Sequence, residues 1–160
     1  MTENTAAALF DALGADITQR YASGRILIAV DGPDADSSAR FADAAAAALR
    51  DAGRVAERAS AHADAYRPDE DYTALRATLA AFRAEEGDGY LIVDGRFLLR
   101  PEIRGAWHIK IWLEGDITLS EEAYSQQLKY VRDENPRTHA DAIYDVTHPD
   151  EPKRVWGDSC

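Results

Sequence analysis

Carboxylates are the chemistry-bearing residues that stand out in this 160-residue chain. Asp31, Asp34 and Asp36 follow the apolar run Arg25 to Val30, and Asp94 closes a second apolar run, Tyr90 to Val93. Four acids at or just past strand-like segments could hold a divalent cation, and a carboxylate-lined, metal-dependent enzyme or binding protein is one reading they allow. Asp36 has a second use. It stands where a helix N-cap belongs, just before an Ala-rich segment, and its carboxylate could accept from the first helical amides and so occupy the place an anion would take. His62, His108, His139 and His148 lie in separate segments without metal-ligand spacing, so a zinc site is not expected. The one cysteine, Cys160, is the last residue and allows neither an internal disulfide nor a thiolate metal cluster.

The segments that must position these residues alternate in type. Ala6 to Tyr21 carries Ala7, Phe10, Leu13 and Ile17 at helical spacing. Arg25 to Asp31 is a near-continuous apolar run of strand length, as in a strand covered on both faces of a parallel sheet. Ser37 to Leu49 is a strong helix ending before Gly53. Val55 to Ser60 is a weaker strand, Asp71 to Glu86 a helix, Tyr90 to Asp94 a strand and Arg96 to Arg104 a short helix interrupted by Pro101. Trp107 to Leu113 is a strand, Thr118 to Asp133 a helix and Ile143 to Thr147 a last strand, with an irregular tail. Trp107, Trp112 and Trp156 read as core or core-edge residues. This order implies one α/β domain over residues 1–160, three-layered, with a parallel sheet of about five strands, Arg25 to Asp31 at its centre and right-handed crossovers. Ligands of such sheets bind beyond the carboxyl ends of the strands, which singles out the loops after Asp31, Ser60, Asp94 and Leu113.

Composition narrows the partners. Apolar residues make up 46% and charged residues 29%, and the formal net charge is −11. Such an acidic chain lacks the clustered cations of a nucleic-acid surface. No stretch has the length and apolarity of a membrane helix, and no basic, apolar leader opens the chain, so the cytoplasm is the expected compartment and a membrane partner is not expected.

The run Ile26 to Asp43 (ILIAVDGPDADSSARFAD) resembles the phosphate-binding region of uridine kinase-like P-loop proteins, where a strand ending Asp-Gly leads through a Gly-rich turn to Gly-Lys-Ser/Thr. The stretch Gly89 to Leu113 (GYLIVDGRFLLRPEIRGAWHIKIWL) resembles the same family more specifically, and Ala140 to Cys160 is similar to the C-terminal segment of its actinobacterial members. The resemblance implies a P-loop fold, ATP-Mg²⁺ as donor and phosphoryl transfer to the 5′-hydroxyl of a nucleoside. In its alignment the loop is Gly32, Pro33, Asp34, Ala35, Asp36, Ser37, Ser38 and Ala39. Ser37 stands for the second glycine, Ser38 for the lysine and Ala39 for the metal-binding hydroxyl, so three groups that admit, neutralise and coordinate the phosphates are absent. Arg40 does not replace the lysine, since two helical positions turn a side chain by roughly 200°.

Other family positions also differ. The acidic residue that serves as candidate base after the second strand is matched by Asp64, or by His62, only with a shifted alignment. Asp94 matches well and would face Mg²⁺ or substrate; otherwise it is a strand-end carboxylate bonded to loop amides, as Asp31 is more simply a turn cap. The Arg-rich lid helix has no counterpart, because Gly115 to Gln127 contains no Arg or Lys. The first reading is therefore a uridine kinase-like protein with a degenerate loop, impaired or inactive, retaining a nucleoside or a partner. The second is an active nucleoside kinase that uses ATP and Mg²⁺ with cations from elsewhere, such as Arg96, Arg100 or Arg137. A homo-oligomer is compatible with either.

Overall fold

The computed structural model describes residues 2–61, 66–67 and 70–156. Helices α1 (Thr2–Arg20), α2 (Ala35–Asp51), α3 (Thr73–Ala84) and α4 (Glu121–Glu134) alternate with strands β1 (Arg25–Asp31), β2 (Ala56–Ala61), β3 (Gly89–Gly95), β4 (Ile109–Glu114), β5 (Ala142–Asp145) and β6 (Lys153–Val155). The sheet order is β2-β3-β1-β4-β5-β6, and all neighbours are parallel except the last pair. β1 is thus central among the parallel strands, as its uninterrupted apolar run requires. β6 is an addition to the expected five strands; its Lys-Arg-Val segment pairs antiparallel with β5 and gave no apolar run to reveal it. The expected helix over Arg96 to Arg104 is a turn, with only a short 3₁₀ segment at Arg104–Ala106, because Pro101 denies the i→i−4 bond there.

Strand alternation sorts the core into two layers. Ile26, Ile28 and Val30 face α1 and α2, meeting Leu13, Ile17, Phe41 and Leu49. Leu27 and Ala29 face the other way, with Leu75, Leu79 and Phe82 of α3, Tyr130 of α4, and Phe97 to Leu99. Trp107 and Trp112 are buried in that second layer. Trp156 corrects the expectation made for it: it is 75% exposed, past the end of β6, and the Arg154 guanidinium lies over its ring at 4.2 Å. Among the described residues no helix is long and apolar enough to cross a membrane.

Candidate functional site

At the carboxyl end of β1 the chain turns straight into α2. Only Gly32, Pro33 and Asp34 separate the strand from a helix that already begins at Ala35, earlier than the sequence suggests. Gly32 donates its N–H to Gly95 O at 3.0 Å, and a Cβ at Gly32 would stand 2.2 Å from Ser38 Oγ, so any larger residue collides with that hydroxyl where it lies. Ser38 and Ser37 are buried. Ser38 Oγ donates to Asp34 O at 2.8 Å, filling the space under the loop with the chain's own atoms.

The N-cap is Asp34, not Asp36. Its Oδ2 accepts from Ser37 N at 3.4 Å and its backbone is extended, as a cap requires. Asp36 lies in the first turn, exposed with Ala35, and adds only its charge near the helix start. Both acids are good capping residues; the buried turn at Gly32 and Pro33 selects the earlier. Ala39 is half-buried on the following turn, and Arg40 reaches Asp150 at 3.1 Å.

The two strand-end acids have different surroundings. Asp31 is fully buried on the α3/α4 face, where Oδ2 accepts from Tyr130 Oη at 2.6 Å and from Leu98 N at 3.1 Å; Oδ1 has no partner among the described residues. Burial pushes its carboxyl up to about 7, against the opposing pull of Tyr130 and the amides of Leu98, Leu99 and Phe97. Burial raises the Tyr130 hydroxyl as well, reinforced by Asp31. Asp94 points to the α2 face, where it accepts from Arg58 Nη2 at 2.7 Å and Ser60 Oγ at 2.6 Å; Arg58 also binds Asp43 of α2 at 2.9 Å and Ile92 O at 2.9 Å. Asp31 and Asp94 therefore do not converge. Among the described residues no cluster of three His, Cys, Asp or Glu side chains could hold a metal ion.

The three predicted cations are placed apart. Arg96 is half-buried, donating Nη2 to Ala123 O at 3.0 Å and to Gln127 Oε1 at 3.4 Å, with its guanidinium over Phe97; its Nε is buried without a partner among the described residues. Burial lowers its pKa while Asp31 and Asp34 raise it, so it faces the loop acids. Arg100 is buried, paired with Glu134 at 3.2 Å and stacked over Tyr66, and it donates to Arg67 O. Arg137 is paired with Glu114 at 2.8 Å. Asp64 and His62 lie outside the described residues.

A cleft of about 510 Å³ opens beyond β2 and β3, lined by Ser60, Tyr72, Thr73, Thr78, Arg96 and Leu98 among others. Its wall carries backbone strain. Tyr72 and Phe97 have φ of 56° and 62°, the left-handed region that costs bulky residues about 1–3 kcal/mol, and Tyr72 Oη donates to Phe97 O at 2.7 Å, tying the two together. Sequence reasoning missed Tyr72, Phe97, Arg58 and Tyr130. Arg58 sits in a weakly patterned strand, and nothing local marks an aromatic for a left-handed turn.

Proteins described as kinases share this fold. The chain superposes with TM-score 0.64 on a protein described as a possible uridine kinase from Bacillus stearothermophilus, at 16% identity, covering 84% of this chain and 96% of that one. It superposes with TM-score 0.52 on a protein described as a candidate fructose transport system kinase from Silicibacter, also at 16% identity, covering 81% and 85%. No protein-family model and no curated protein matches the chain.

Proposed function

We propose that this chain is a uridine kinase-like protein of degenerate loop that takes a nucleoside-class small molecule in the cleft beside α3 and transfers phosphoryl groups from ATP slowly or not at all. The observation that carries this reading is the connection from β1 to α2. A loop that wraps a β-phosphate presents a concave row of free backbone amides. Here three residues make the turn, the Asp34 carboxylate takes the Ser37 amide and Ser38 fills the space below. Loop lysine, metal-binding hydroxyl and lid arginines are all missing from the aligned positions. The residues present do not fit ATP-Mg²⁺. The cleft offers the contrasting half: Thr73, Thr78 and Arg96 beside the acids Glu70 and Asp71, with Ala59, Leu75 and Leu98 as apolar lining, a combination suited to a small polyhydroxylated molecule.

A coupled assay with ATP-Mg²⁺ and uridine or cytidine is expected to give turnover at least about a thousandfold below that of working kinases, which run at about 1–100 per second. Turnover above about one per second would establish instead the active kinase with a non-standard phosphate site, for which the unpartnered Arg96 Nε is the supporting observation. Calorimetry separates the two halves of the proposal. Uridine is expected to bind the parent and to be lost in Thr78→Trp, which fills the cleft from an exposed helix position.

A further inference from the structure

Helix α4 is apolar on a face that no described residue covers. Tyr124, Leu128 and Val131 follow one another at spacings of four and three, which sets them on one stripe of the helix. They are 56%, 51% and 39% exposed. The other large exposed hydrophobics among the described residues, Val55 and Trp156, lie outside α4, just before β2 and just after β6. Tyr124 and Val131 also rim a cleft of about 290 Å³ beside the helix, so the apolar surface continues toward Ile117.

Charge along the same stripe identifies what fits there. Glu121 opens the helix and Arg132 lies near its end, both exposed. At about 100° per residue the three apolar side chains span about 60°, and Glu121 and Arg132 both fall about 20–40° beyond Leu128, on the same edge. An acid at one end and a base at the other, on one edge, is self-complementary only when a second identical helix runs antiparallel. A two-fold axis keeps that edge on the same side of both copies and sets each acid against the other's base, whereas parallel pairing sets like against like. Arg132 contacts its neighbour Asp133 at 3.1 Å, an exposed pair that holds it only weakly.

We propose that α4 is a self-association surface: two copies of this chain pair their α4 helices antiparallel about a two-fold axis, burying Tyr124, Leu128 and Val131 and setting Glu121 of each copy against Arg132 of the other. The midpoint between Glu121 and Arg132 falls between Gln126 and Gln127. Leu128 of each copy then lies nearest the axis, with Tyr124 and Val131 farther out, and the two apolar rows interleave. The net charge of −11 per copy opposes association only over distances that salt screens, about 8 Å at physiological ionic strength. A contact of one helix on each side lies at the small end of stable interfaces, about 1,200 Å² in total, so the dimer is a weak one that dissociates on dilution. The proposal rests on the fold and stands apart from the reading of the phosphate loop.

Sedimentation equilibrium of the full chain at physiological ionic strength, over a series reaching about 0.5 mM, tests it. A monomer–dimer equilibrium is expected. Leu128→Glu, a change at an exposed position that leaves the circular dichroism spectrum unaltered, raises the dissociation constant at least about a hundredfold, because both copies bring the new charge to the two-fold axis. Glu121→Arg and Arg132→Glu each raise it about tenfold by setting like charges together at both symmetric pairs. The chain carrying both changes recovers to within about threefold of the parent. Within one chain these residues are about 16 Å apart, beyond the screening length, so recovery arises only across the interface. A chain monomeric throughout the series, a dimer indifferent to Leu128→Glu, or a double variant as weak as the product of its single changes overturns the proposal.

Discussion

The chain contains the tripeptide Val-Asp-Gly twice, at residues 30–32 and 93–95, each time at the carboxyl end of a buried strand, and the fold makes opposite use of the two. β1 and β3 are neighbours, paired so that Val30 faces Asp94 and Asp31 faces Gly95. That offset of one residue sends the carboxylates to opposite faces of the sheet. Asp94 meets a guanidinium and a hydroxyl; Asp31 meets a phenol and an amide, in a place dry enough to hold its proton to about pH 7. The glycines differ in the same way. A Cβ at Gly95 would meet the backbone oxygen of Ala61 at 2.5 Å, whereas one at Gly32 would meet a side-chain hydroxyl that can be removed. Identical local sequence thus yields one strand end paired with a guanidinium and one buried under its own loop with its carboxyl pushed up to about 7.

The contrast breaks most severely at the ion pair. Arg58→Met leaves the Asp94 carboxylate buried with Ser60 alone, and urea unfolding at pH 7 is expected to show a loss of about 3–5 kcal/mol. Gly95→Ala is expected to cost about 3 kcal/mol, since backbone must move to admit the methyl group. Gly32→Ala should cost about 2 kcal/mol, and Ser38→Ala in the same chain should recover most of it; a double-mutant cycle without that coupling would refute the contact.

Asp31 carries the pH dependence. Its folded pKa lies above the unfolded value of about 3.9, so the folded chain keeps a proton that the unfolded chain has lost. The resulting stability is complete below about pH 4 and is lost as pH rises through about 7. Asp31→Asn cannot titrate. Measured against the parent, the variant is expected to gain up to about 4 kcal/mol between pH 4 and pH 8, with Tyr130 and Arg96 the polar side chains that face the group. A flat difference across that range would place the proton elsewhere. The smallest effect belongs to the cap: Asp34→Ala is expected to cost about 1 kcal/mol, while Asp36→Ala, exposed in the first turn, costs about half of that or less. Thermal unfolding of the two variants ranks them, and equal losses would mean that the cap is shared.

The sequence by itself determined the layering of this protein. Apolar runs such as RILIAV and YLIV, alternating with helices of 3.6-residue period, admit little besides a parallel sheet covered on both faces, with one of the two runs at its centre. It also determined which side chains the turn after β1 carries, because residues 32–39 include no lysine and folding cannot supply one. Local signals stopped at the loop's geometry. Asp34 and Asp36 are equivalent as caps by type, and only the buried turn through Gly32 and Pro33, with Ser38 packed beneath it, decided which one starts the helix. Tertiary structure likewise decided the partners of Asp31 and Asp94. Tyr130 stands 99 residues from Asp31 in the chain and Arg58 stands 36 from Asp94, and strand register, a property of pairing rather than of either strand, chose the face to which each carboxylate turned.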